Sequence, residues 1–368
     1  MGVLILGFRL QLFNKPVKQN SSQAQVTQDI LQGWTLQEKI GQLIMVGTPA
    51  DVLDSATENV IEQNNVGNVF LTGRSHLSAP QIKKKIDILN LKTKRVKLLV
   101  GVDQEGGEIQ VLQGHGFSTI PNALTQGQMS SKNLEIASRS WASELKAAGV
   151  NMNLAPVADL VPSAAFAHQN SPIGYWDREY GYDAKTIAAS TIAFYQGMKS
   201  SGILATAKHF PGIGRITENT DFSSKVIDNV TTSTDDSVKV FQKLIDKNIP
   251  VIMTSTVMYN KIDSKNIAAF SPAIVTGLLR EKLKFKGLII TDDLSNAEQV
   301  QNFTVSDRAI LAILAGNNLI CAGSPDQIPE MTSALYQKAQ QDSQFKKQVE
   351  RAATLVVMQK EKLNLIEK

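Results

Sequence analysis

One cysteine, Cys321, stands in 368 residues, which excludes a disulfide framework and a cysteine-based zinc site within the chain. It closes the apolar run Asn318–Cys321 and reads as a small buried hydrophobe. Histidine is almost as scarce. His76, His115, His168 and His209 show no H-E-x-x-H spacing, so neither a metal nor a cofactor is expected. No long basic run accompanies the net charge of +4, which removes the support for nucleic-acid binding. No G-x-G-x-x-G follows the first strand-like run, and no nucleophile elbow is present. Internal repeats are absent. What remains is a chain 42% hydrophobic and 20% charged, long enough to bury a barrel-sized core.

The N-terminus is set apart by composition. Gly2 to Phe13 is apolar apart from Arg9 and Gln11, and a Lys/Gln/Ser-rich stretch follows from Asn14 to Gln28. Residues 1–30 therefore read as a tether or a degenerate signal segment, which favours an extracytoplasmic or cell-envelope location over a cytoplasmic one. The apolar part is too short to span a bilayer, has no basic segment before it and no lipid-attachment cysteine after it. It is at most an N-terminal anchor, and no later stretch resembles a membrane span.

From Thr35 onward, where Thr35 and Glu38 are spaced as a capping box, strand-like and helix-like segments alternate. Strands are expected at Gln42–Val46, Val66–Leu71, Lys97–Val102, Val150–Leu154, Ile203–Ala207, Pro250–Thr254, Gly287–Thr291 and Asn318–Cys321. Several are continuous apolar runs, as in a parallel sheet covered on both faces. Helical spacing marks Val52–Gln63, Ala79–Leu91, Ser131–Ala148, Ala184–Ser200, Ser233–Lys247, Ala273–Lys284 and Ser306–Ala315, with Ser233 and Ser306 as N-caps. Gly149, Gly202 and Gly316 stand where helices should stop. Strands each followed by a helix describe an α/β fold, a TIM (β/α)8 barrel, over residues 31–368; the segment from Asp326 to Lys368 supplies one or two closing helices. The chain reads as a monomer.

The barrel is organised around A-K-H-F-P-G-I-G-R-I-T-E-N-T-D-F, Ala207 to Phe222. Lys208 and His209 end a buried strand, and a polar loop with Glu218, Asn219 and Asp221 follows. Taken alone, they are read equally well as strand caps beside a solvated connection. Other strand ends carry Asp103-Gln104-Glu105, Asp159, Thr254-Ser255-Thr256 and Asp292-Asp293. Carboxylates gathered at a barrel mouth suit glycoside hydrolysis, in which one attacks or stabilises the sugar cation and another handles the proton. They would also suit a divalent metal, against which Lys208 in the same cluster argues.

Five motifs, in order, resemble glycoside hydrolase family 3 and its single-barrel β-N-acetylhexosaminidases. They are Trp34-Thr-Leu-Gln-Glu-Lys-Ile-Gly-Gln-Leu43, Gly101-Val-Asp-Gln-Glu-Gly-Gly107, Asn153-Leu-Ala-Pro-Val-Ala-Asp159, Lys208-His-Phe-Pro-Gly212 and Thr291-Asp-Asp-Leu294. The resemblance implies a retaining hydrolase acting on a carbohydrate substrate, with Asp292 as nucleophile. It implies that Asp103, Arg178, Lys208 and His209 bind the sugar. Glu105 supports them, Asp159 accepts hydrogen bonds at a strand end, and Asp293 orients its neighbour or caps a helix.

The loop departs from that family. Where the family carries an Asp/His acid–base dyad, this chain has Asn219 and Asp221. Thr256 replaces a common histidine, and Glu108 and Val111 stand where two arginines are usual. General-acid help is worth roughly 10²–10⁴-fold. Either Asp221 or Glu218 replaces the missing acid, or the protein holds the sugar and cleaves it poorly.

Overall fold

The computed structural model describes residues 31–366, so the N-terminal segment read as a tether or signal remnant lies outside the described residues. All of the expected strands are present: β1 (Ile44–Pro49), β2 (Asn68–Thr72), β3 (Leu99–Val102), β4 (Met152–Asn153), β5 (Leu204–Phe210), β6 (Val251–Thr254), β7 (Leu288–Asp293) and β8 (Leu319–Ala322). Each pairs in parallel with the next, and β8 returns to β1 through Ile44↔Ile320 and Met45↔Cys321, closing a TIM barrel. Most strands begin one or two residues later than the apolar runs. The first residues of those runs are instead buried just ahead of the strands, in the larger apolar cluster, as Leu43 and Val66 are.

The helices follow the expected order, with corrected starts. Ser55–Gln63 begins after Asp54, whose carboxylate accepts from the Ala56 and Thr57 N–H groups, not at Val52. Asp235 rather than Ser233 caps Asp236–Asp246, and it is also held by Arg215 at 2.7 Å. Thr304 rather than Ser306 caps Val305–Ala315, because Asp307 bonds it reciprocally while the Ser306 hydroxyl is drawn to Glu330. Ala273–Lys282 is wound as a π-helix; over so few residues, with Gly277 among them, apolar spacing does not separate the two helical periods. The Thr35/Glu38 capping box forms as read. Gly202 and Gly316 take φ of +78° and +112°, the left-handed turn that frees the chain to enter the next strand.

Two apolar layers result. The larger lies between the barrel and its helices. The smaller fills the barrel and includes Met45, Leu99, Leu204 and Ile290. Its uppermost members, Phe70, Leu154, Met253 and Cys321, come from β2, the end of β4, β6 and β8, so alternate strands supply one tier and make the floor of the mouth. Cys321 is thus buried as expected.

At the other end, the closing segment forms Ile328–Gln341 and Ser343–Lys362. Val356 is fully buried in the interior cluster, and Leu355, Leu363 and Leu365 pack on it. Lys360 lies fully buried on the same helix; its Nζ donates to Gln42 Oε1 at 2.7 Å and the Gly67 carbonyl at 2.6 Å. Burial holds its ammonium far below the usual lysine range. The helix plugs the barrel bottom and leaves chemistry to the opposite mouth. Val356→Ala should therefore lower stability by about 2 kcal/mol, seen as a lower urea midpoint at unchanged slope. A loss below about 0.5 kcal/mol would show that the helix merely lies on the surface.

Candidate active site

The strand ends carry charge because they open into a cavity of about 640 Å³, within the usual size range of small-molecule sites. Asp103, Arg178, Lys208, His209, Asp221 and Asp292 all line it. Glu218 does not: it is exposed and absent from the lining.

The inner wall is an ion cluster. Lys208 lies at the end of β5, joined to His209 by a cis peptide. Its Nζ contacts Asp103 Oδ1 at 2.5 Å and Glu105 Oε1 at 2.6 Å. Arg178 meets the same Glu105 carboxylate through two parallel bonds of 2.8 and 2.9 Å, and donates a third to the Pro172 carbonyl at 2.7 Å. Burial alone would raise the Glu105 carboxyl, but Arg178 and Lys208 overcome it and hold the group at about 2. The Lys208 ammonium is raised in turn: burial opposes this, but Asp103 and Glu105 outweigh it. Glu105 and Arg178, far apart in sequence, are thus one unit, which motifs read singly do not reveal.

Asp159 organises the next layer. Fully buried, it accepts from His209 N–H, from Ile213 N–H at 2.8 Å, and faces His209 Nδ1 at 2.8 Å. With all donors on its side, Nδ1 carries the proton and Nε2 is left toward the cavity. Asp159 is the strand-end acceptor expected, and it also fixes where the long loop departs.

That loop is pinned along its length. Asn170 donates to the carbonyls of Ile213 and Ile216, and Tyr259 to that of Gly212. Arg215 pairs with Asp235. Glu298 and Gln299 N–H groups hold the Asp221 and Thr220 carbonyls. Asn219, the residue in place of a family aspartate, accepts the Asp221 N–H through its side-chain oxygen at 2.9 Å. This Asx turn aims Asp221 at the cavity. Partial desolvation, then the negative charges of Asp292 and Asp293, push the Asp221 carboxyl up to about 6.

Asp292 and Asp293, at the end of β7, divide their tasks. Asp292 accepts the Asp293 N–H on Oδ1 and is otherwise open to the cavity. Asp293 is consumed by structure: it accepts from Ser295 N–H and Oγ, Asn296 N–H and Gly323 N–H, tying β7 to β8. Thr256 is buried and outside the cavity lining. Glu108 pairs with Arg74 at 2.8 Å on the cavity wall, so a guanidinium from the loop after β2 reaches the wall where the family's two arginines are missing.

Comparison with known proteins decides the lineage. Residues 35–355 match the glycosyl hydrolase family 3 N-terminal domain. The chain belongs to this family. As a family 3 member it is a glycoside hydrolase, acting on O-glycosyl bonds. It is 46% identical to a solved β-N-acetylhexosaminidase from Beutenbergia cavernae, with a TM-score of 0.88 over 89% of this chain and 98% of that one. It is 32% identical to the β-hexosaminidase of Nitrosomonas eutropha over 280 residues, 73% of this chain and 77% of that protein. A family 3 β-N-acetylglucosaminidase from Paenibacillus sp. shares the fold, with a TM-score of 0.81, 24% identity, and coverage of 90% of this chain and 63% of its own.

Beside Arg178, Glu179 is fully buried with neither carboxylate oxygen in a well-formed hydrogen bond, and burial pushes it up to about 7. A carboxyl raised in the folded state contributes stability below its unfolded value near 4.5, lost as pH rises through about 7. Glu179→Gln should therefore raise the melting temperature at pH 8 and leave it nearly unchanged at about pH 4.5. A gain independent of pH would show that the ionisation of Glu179 costs nothing.

Proposed function

We propose that this family 3 member is a retaining β-N-acetylhexosaminidase that releases terminal β-linked N-acetylhexosamine from glycans, cell-wall-derived glycans among them. The reading is carried by one observation: Asp221 and Asp292 open onto the same cavity as Asp103, Lys208, His209 and Arg178. The activities of the Beutenbergia and Nitrosomonas relatives support the sugar class.

In this reading the inner cluster binds the hydroxyls of the terminal sugar: Asp103 accepts, while Lys208, Arg178 and His209 Nε2 surround it. Asp292 attacks the anomeric carbon through Oδ2, since Oδ1 is occupied by the Asp293 N–H. Protonated Asp221 gives its proton to the departing glycosidic oxygen. Its carboxylate then takes a proton from the water that opens the glycosyl–Asp292 ester, restoring both groups. A carboxyl at about 6 suits this double duty, because it is available in both states near neutrality. Arg178 and Lys208 are neutralised by Glu105 and Asp103, so the site offers oriented donors rather than surplus positive charge.

The altered dyad motivates one rival: a sugar-holding protein with weakened turnover. A panel of p-nitrophenyl glycosides set beside a natural disaccharide separates the two. The hydrolase reading expects turnover of the β-N-acetylglucosaminide, abolished by Asp292→Ala. A wild type that binds the sugar and cleaves only the activated aryl glycosides, leaving a natural disaccharide intact, would favour the rival. Because the acid must be protonated, kcat/KM should fall as pH rises through about 6. Asp221→Asn should remove that limb and cut hydrolysis of a natural disaccharide by about 10²–10⁴-fold, but an activated aryl glycoside far less. Equal losses on both substrates would reject Asp221 as the acid.

A further inference from the structure

Immediately after Asp221, Phe222 stands 83% exposed, yet it lines the cavity. An exposed phenylalanine alone is ordinary on a protein surface. This one is held on fixed backbone: its N–H and that of Ser223 both donate to the Asn219 carbonyl, at 3.1 and 2.9 Å. The turn that aims Asp221 inward therefore presents the Phe222 ring at the same time.

The cavity has two chemically distinct halves. The inner one is buried and ionic, with Lys208 and His209 only 3% and 5% exposed. The outer one holds Phe222, the Arg74–Glu108 pair and Asn296, all solvent-facing. The proton donor must touch the glycosidic oxygen, and whatever lies beyond that oxygen is the leaving group. Phe222 follows the donor directly in the chain and lines the same cavity. We infer that Phe222 is the platform of a leaving-group subsite, specifying a second pyranose ring rather than an alkyl or extended peptide group. This rests on the proposed hydrolysis. A pyranose presents C–H groups on its face and hydroxyls at its edge. The face covers the aromatic ring, and the edge meets Arg74, Glu108 and Asn296, which offer both donors and acceptors. Ring stacking loses little entropy because Phe222 is already placed.

The test compares a β-linked N-acetylglucosamine disaccharide with methyl β-N-acetylglucosaminide, on wild type, Phe222→Ala and Phe222→Trp. Phe222 is exposed, so folding is not at stake. The expected result is a loss of about tenfold in kcat/KM for the disaccharide in Phe222→Ala (about 1.4 kcal/mol), with a far smaller loss on the methyl glycoside. Phe222→Trp should restore the disaccharide rate. Equal losses on both substrates, or no loss on either, would overturn the subsite. A wild type that cleaves neither substrate would overturn the hydrolase reading instead. Calorimetric titration on the inactive Asp292→Ala background then judges the platform by itself: the disaccharide must bind more tightly than the monosaccharide, and adding Phe222→Ala must erase that advantage. Equal affinities on that background would reject it.

Discussion

The mouth of this barrel depends on a carboxylate that almost never meets water. Glu105, 4% exposed, is gripped by a bidentate Arg178 and by Lys208. Without it, two cations would face each other in a desolvated wall, at a cost of about several kcal/mol. With it, both become fixed donors whose third neighbour, Asp103, is left partly open. The loop bearing Arg178 and the strand bearing Lys208 are thereby locked to the β3 end, and the cavity keeps its shape before any sugar arrives. Preorganisation of this kind is what lets polar groups act in a catalytic site without reorganising.

Much of this was legible in the chain because burial on both faces writes continuous apolar runs, and the charges that end such runs gather at one mouth. The barrel, the closing helices and the gathering of Asp103, Lys208, His209 and Asp292 all follow from that rule. What escaped depends on distances across the chain. Glu105 and Arg178 look like unrelated charges until the fold sets them 2.8 Å apart. Glu218 and Asp221 share one polar loop and both are solvent-exposed; Asp221, at the position of the family's missing histidine, is the favoured one, and of the two it is Asp221 that lines the cavity. Helix starts slipped for a similar reason, since Ser, Thr and Asp near each start compete and the tertiary partner settles the contest.

In the proposed mechanism the altered loop absorbs its substitutions. Asn219 offers no carboxylate, but its amide oxygen builds the turn. A carboxyl brought near Asp292 and Asp293 is pushed upward by desolvation and by their charge, so an aspartate reaches the range in which a histidine ordinarily titrates. In such a mechanism the mouth needs a group with that proton affinity more than it needs an imidazole. In the proposed roles, acid and nucleophile are electrostatically one system, and neither can be tuned alone.

The plug beneath the barrel has a consequence for how the molecule is made. Lys360 hydrogen-bonds Gln42 across 318 positions of sequence. At about 5–20 residues per second, translation leaves roughly 15–60 s between the two. For most of that time the barrel is itself unfinished, since the strand that closes it, Leu319–Ala322, is made late, and the closing helix follows it to cover the bore. Quality control by cellular chaperones would then bear on the unfinished barrel, and a break in translation just ahead of that helix would leave the bore uncovered.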